Sequence, residues 1–172
     1  IGMLKSCYFL TDAYFVGMLG DDALIALGGT AFAWWMILLS GELAGTGIHS
    51  LVARSVGSEE PGHVGSITSQ GLWVGAIVSV LLLGLIPIAD LYFDMLGFRA
   101  GSIEQTLGSE YLLVCLLGAS SFAAHAALGG AFRGLGDTRT ALLITGITLV
   151  LNAALDPLLI WGLGLIPGLG IA

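Results

Sequence analysis

Three stretches of the chain, Ala23 to Gly41, Ile67 to Ala89 and Tyr111 to Phe132, run without a single formal charge, and a fourth, Thr140 to Gly164, is broken only by Asp156. Each is about as long as the roughly 20 helical residues needed to cross a hydrocarbon core. The runs are continuously apolar and do not alternate, so they fit helices and not barrel strands, and inside lipid every backbone group must be paired within the segment. Composition agrees. Hydrophobic residues make up 56% and charged residues 10%, against roughly 25% charged in soluble domains, and mean hydropathy is +0.98. Too little charge remains to cover a soluble globule. The fold class expected is therefore an all-α polytopic membrane protein, a helical bundle.

A shorter apolar segment surrounds Asp12, and with it the expected spans are five: about 1–20, 23–53, 66–89, 107–132 and 139–164. The first has no basic leader region and no small-residue cleavage site, so it is not read as a signal peptide. Arg54, Arg133 and Arg139 lie in one set of connections and Arg99 alone in the other, which places the former on the cytoplasmic side. A net charge of −7 argues against nucleic acid as a partner. The partners expected are a lipid bilayer and a small organic substrate. No catalytic residue, resident metal or cofactor is expected, since no phosphate-binding loop and no cluster at metal-ligand spacing is present. Cys7 and Cys115 read as small buried apolar residues, and His49 and His125 as locally hydrogen-bonded.

Asp12 and Asp156 need a reason to be inside apolar spans. An ionised Asp at the centre of a spanning helix costs about 2.5 to 3.5 kcal/mol, so such residues face a cavity or partner and mark an ion or substrate path. Tyr8 precedes Asp12 by four residues and Asn152 precedes Asp156 by four, so each pair shares one face of its helix. Two carboxylates in a partly dry pocket cannot both carry charge comfortably, which suits a proton carrier, and a bound cation would relieve the same repulsion. The residues do not choose between proton and sodium. Pro157 cannot donate to the carbonyl of Ala153 and bends or loosens the helix beside the acid, either as part of a conformational switch or as a packing kink. Glu42 stands alone in the second span and either lines a cavity or marks a helix break.

Two polar connections carry further pattern: Leu51 to Gly62, with Arg54 and Gly57, and Phe132 to Thr140, with Arg133, Gly134, Gly136, Asp137, Thr138 and Arg139. Each alone is a positively charged stop signal with turn residues, and Asp137 or Thr138 is placed to cap the following helix. Together with the run Tyr8 to Gly17, the short loop Leu19 to Gly28, the Ala-Arg-x-x-Gly element Ala53 to Gly57, the Arg-Gly-x-Gly-Asp-Thr-Arg-Thr element Arg133 to Thr140 and Leu151 to Pro157, they resemble the multidrug and toxic compound extrusion family, MATE, in order along essentially the whole chain.

That resemblance implies twelve helices in two six-helix lobes, of which this chain would hold most of the first and none of the C-terminal one. The start at Ile1 and the apolar end at Ala172 agree with that expectation. The resemblance, closest to the DinF-like bacterial branch, implies an antiporter of the cell membrane that exports cationic or neutral amphipathic compounds. Proton or sodium would be the coupling ion, taken up around Tyr8, Asp12, Asn152 and Asp156. Phe9 and Lys5 depart from the family pattern, which has Asn and Gln there. A lipid-linked oligosaccharide flippase of the same superfamily would be expected to line its cavity with several bases, and this half offers only Lys5. An intramembrane aspartyl protease would use Gly134-Leu-Gly-Asp137 inside a span, whereas here that element falls between two arginines in a polar turn.

Overall fold

Long helices follow from apolar runs rich in Leu, Ala and Ile, and among the described residues only the last of them, Thr138–Trp161, contains a proline, Pro157. The computed structural model of the chain describes residues 2–59, 61–162, 168 and 170, with the side chains of 2–5 and Pro61 outside the description. Its seven α-helices among the described residues are α1 (Gly2–Gly17), α2 (Asp21–Gly57), α3 (Val64–Leu83), α4 (Ala89–Met95), α5 (Ile103–Leu117), α6 (Ala119–Gly134) and α7 (Thr138–Trp161). Short 3-10 turns at Pro61–His63 and Ile86–Ile88 precede α3 and α4. The ends 1 and 163–164 of the expected first and last spans lie outside the described residues.

Among the described residues, three segments are long and apolar enough to cross a membrane: Asp21–Gly57, Val64–Met95 and Thr138–Trp161. A fourth arises if α5 and α6, broken at Gly118, count as one span. The described α1 has 16 residues. Several large apolar side chains of α3 face outward, Trp73 and Leu81 each being 70% exposed, while the buried positions of this helix are Gly75 and Ser79. Such a surface is stable against lipid and not against water, so the chain is a helical membrane protein.

The chain packs as two compact units. One comprises Ile1–Phe32, Ile88–Val114 and Leu142–Ala172. Its core joins Val16 of α1 to Ala23, Ala26 and Leu27 of α2, with Ala13, Leu107, Tyr111 and Ile160 packed against them. Phe93 of α4 is fully buried against Gly29 and Gly108, where a Cβ would collide with its ring. The neighbouring Tyr92 donates its hydroxyl to the Gly29 carbonyl at 2.7 Å.

The second unit comprises Ala33–Pro87 and Cys115–Ala141. Here α2 and α6 approach until backbones touch: Gly41 lies on Ala123, Gly45 on Ala126 and Gly130, and Gly134 on Val52 and the His49 carbonyl. Gly71 and Gly75 of α3 close on Ile48 and Ala123. Since lipid gives helices no hydrophobic reason to associate, close backbone packing by small residues supplies the attraction. The small-residue spacings at Gly41/Gly45 and Gly130/Gly134 therefore have a physical use. Between α6 and α7, Gly136 takes φ +82°, its N–H bonds the Arg133 carbonyl, and the Asp137 N–H bonds that of Phe132, the paired closure typical of a glycine-ended helix. After α2 the left-handed residue is Glu59, at φ 60°, and Gly57 stays helical, so that turn is not made by a glycine.

Gly130→Val is expected to push α2 and α6 apart and to lower stability by about 1–3 kcal/mol, the usual cost of overpacking. Gly47→Ala, at a position with open space around it, is the control. Thermal unfolding in detergent would show a fall for the first variant and little change for the second, and equal behaviour would discount the contact.

Candidate functional site

The two lone acids, 144 positions apart in the sequence, are joined in the first unit by one side chain. Asn152 on α7 donates one amide N–H to Asp12 Oδ1 at 3.2 Å and the other to Asp156 Oδ1 at 2.9 Å. The second contact runs along α7 across four residues, the first across to α1. The carboxyl groups of Asp12 and Asp156 lie in hydrogen-bonding reach of each other, and Tyr8, one turn before Asp12, lies close to both. All four are partly buried. The helix spacing that placed each pair on one face is what lets α1 and α7 present them to each other.

The polar balance of this cluster is uneven. An amide has two N–H donors and one oxygen acceptor, and both donors are spent on carboxylates. Asn152 Oδ1 and Asp156 Oδ2 are buried and have no hydrogen-bond partner. Buried acceptors without donors are costly, and a proton or a small cation placed among them would supply what is missing. Above the site, Phe15 meets Trp161 edge-on with ring centroids 6.0 Å apart, a second point of contact between α1 and α7. Pro157 lies between these two points, inside α7, which continues to Trp161.

The structure does not gather every residue singled out by the sequence. Glu42, Arg54, Gly57 and Arg133 to Arg139 belong to the other unit. Glu42 is partly buried beside Gly41 and engaged in an interaction of its own. Arg54 and Arg139 are exposed, and the Arg133 guanidinium lies back over Gly129. Gly134 is a packing position and Gly136 a turn position, as described above. Of the two candidate caps it is Asp137 that serves, accepting the Thr140 N–H at 3.0 Å, while Thr138 is the first residue of α7. Lys5 cannot be placed against the acids, since its side chain lies outside the described residues. His49 departs from expectation, its buried Nδ1 having no hydrogen-bond partner.

One member of the cluster was missed from sequence. The Tyr8 side chain lies near that of Thr148, which precedes Asn152 by one turn. The stripe 148, 152, 156 on one helix face was the available signal.

Comparison with known proteins gives a consistent picture. The family model described as MatE matches residues 2–158. The chain is 28% identical over 169 residues to the probable multidrug resistance protein NorM of Thermotoga maritima, covering 98% of this chain and 36% of that protein. It is 30% identical over 177 residues to a FAD transporter of Shewanella oneidensis, covering 99% and 38%. A solved outward-facing multidrug resistance MATE family transporter of the MOP superfamily superposes with a TM-score of 0.88 at 27% identity, covering 98% of this chain and 37% of that one. The chain thus spans a little over a third of the length of the curated relatives it matches.

Hydrogen bonds from Thr140, side chain first and backbone second, hold the exposed Asp137 carboxyl below its ordinary value of 3.8, with Arg139 helping. A depressed carboxyl stabilises the fold above the unfolded value and loses that contribution as pH falls through the folded one. Asp137→Ala is therefore expected to speed hydrogen exchange of the Thr140 amide at neutral pH, with the difference from wild type fading below about pH 4. A difference that persisted at acid pH would mean that the carboxylate charge is not what caps α7.

Proposed function

Because the chain belongs to the MatE family, whose members are transporters and not enzymes, we propose that the protein it comes from is a secondary antiporter. It exports organic compounds, cationic or neutral and amphipathic, in exchange for protons or sodium ions across the cell membrane. The observation that carries this reading is the Asn152 bridge, which holds two carboxyl groups together with bare acceptors around them inside an apolar helix bundle. No second lobe is needed to assemble that site. The cargo cavity is completed by the remaining helices of a two-lobe, twelve-helix transporter.

In the cycle we propose, a proton or sodium ion enters the pocket while the cavity is open to the outside. It cancels one negative charge of the carboxyl pair and satisfies Asn152 Oδ1 and Asp156 Oδ2. The α1–α7 contact tightens, and the cargo, bound better by the ion-free arrangement, is released. Coupling is then the difference in the affinity of each state for ion and cargo. Pro157 leaves the Ala153 carbonyl without its helical partner and gives α7 a soft point next to Asp156, where the helix bends as the state changes. Glu42, an acid in a long apolar helix, draws cationic cargo. The relative named as a FAD transporter widens the cargo to be tested to anionic aromatic compounds.

Export of a fluorescent organic cation by the full-length protein in inside-out vesicles is expected to follow an imposed proton or sodium gradient. Asp156→Asn should lower it by at least about tenfold, equivalent to roughly 1.4 kcal/mol of lost differential binding. Equal export by wild type and variant would remove Asp156 from coupling, and indifference to both gradients would sink the antiport reading. Pro157→Ala restores the helical bond and is expected to slow turnover several-fold with the ion requirement unchanged. Unaltered turnover would leave the proline as a packing kink only.

A further inference from the structure

The part of α2 that belongs to the second unit, from Ala33 onward, has three faces of different chemistry. Its packed face is the stripe Gly41, Gly45, Ile48, Val52 and Ser55, all buried. The rest of its surface divides in two. One sector is apolar, with Met36, Leu43 and Leu51 exposed, Leu43 by 76%. The other carries Glu42, Thr46 and His49, whose spacings of four and three residues put them on one side of the helix. Thr46 is exposed, and Glu42 and His49 are half-buried. Trp35 and Leu39, both exposed, continue the same line toward the start of the helix, and Trp34 meets the Trp35 ring edge-on at 5.8 Å between centroids.

The apolar sector suits lipid. A carboxylate, a hydroxyl and an imidazole in line do not, since polar and charged groups of a spanning helix are expensive against hydrocarbon and face a water-filled cavity or a partner. Among the described residues of this unit, His49 Nδ1 is the buried side-chain polar atom with no hydrogen-bond partner. Such an atom is costly, so the ring gains by turning that nitrogen toward a group that arrives beside it. Glu42 has an interaction of its own, and a carboxylate has lone pairs for more than one partner.

We infer that Glu42, Thr46 and His49 form a cargo subsite on α2 that takes an amine-bearing organic cation. Glu42 answers its charge, Thr46 and His49 bond its N–H groups, and Trp35 and Leu39 are the wall for its apolar body. From Trp35 to Glu42 the helix rises about 10 Å, which leaves room for an aromatic ring system beside the amine. The subsite rests on the reading that the protein exports organic compounds and is independent of ion coupling.

Binding to the full-length protein in detergent is to be measured by equilibrium dialysis with two cations: ethidium, which carries aryl amines, and tetraphenylphosphonium, which has no N–H. Glu42→Gln is expected to weaken both by at least about tenfold, the loss of a contact to a charged group. Thr46→Val and His49→Phe should each weaken ethidium about three- to tenfold and leave tetraphenylphosphonium unchanged. Leu43→Ala, on the apolar sector, should alter neither. Ethidium bound equally by wild type and the three polar-sector variants overturns the inference, as does a Thr46→Val that loses both cations alike.

A second measurement does not depend on how well those variants fold. With the native cysteines replaced, Thr46→Cys in vesicles is expected to react with a charged, water-soluble methanethiosulfonate and to be protected by ethidium, while Leu43→Cys stays unreactive. An unreactive Thr46→Cys means that other helices pack dry against this sector, and the subsite is then wrong. A wild type that binds neither cation ends both the cationic-cargo reading and the subsite. Intact binding with export indifferent to proton and sodium gradients fails the antiport reading and leaves the subsite standing.

Discussion

One primary amide organises the acid-bearing unit. Asn152 bonds both Asp12 and Asp156, and it does so with the only two side-chain donors it has. Without it, two carboxyl groups would face each other inside apolar helices with nothing to hold them. An alternative side chain must provide two donors in a plane at that position. Asp would provide none when ionised, and Leu would fill the volume and leave both acids unsupported. The apolar contacts of Val16, Ala13 and Ile160 in the same unit bring α1, α2 and α7 together but are not directional. The amide sets which faces meet.

The second unit is held by a different physics. Around Gly45 and Gly130 the backbones of α2 and α6 leave no room for a side chain, and the attraction is dispersion between closely packed main chains. Polar side chains there turn inward on their own helices: Ser79 bonds the Gly75 carbonyl and Ser40 that of Ile37. The chain thus places a directional polar cluster across helices in one unit and close backbone contact between helices in the other.

Much of this was legible in the sequence because it depends on helical periodicity alone. The four-residue spacings Tyr8/Asp12 and Asn152/Asp156 needed no knowledge of tertiary structure, and an Asp in an apolar run is conspicuous on energetic grounds. The glycine spacings hinted at close approach but not at which helices approach, since that is decided by partners far away in sequence. Thr148 was hidden for a related reason. One hydroxyl among several in the run Thr138 to Thr148 becomes special only when α1 is docked with Tyr8 opposite. The turn after α2 was not legible from composition, because a non-glycine residue, Glu59, takes the left-handed conformation that glycine adopts most easily.

Asp12 and Asp156 look interchangeable on paper, yet their bonds to Asn152 are of different kinds. The bond to Asp156, 2.9 Å long, lies within α7 and travels with that helix, whereas the 3.2 Å bond to Asp12 crosses from one helix to another. Any roll of α7 against α1 therefore parts the seam on the Asp12 side first. Asp156 is escorted by its amide through such a motion and Asp12 is stranded, so the pair is a lock with one fixed jaw and one that lets go.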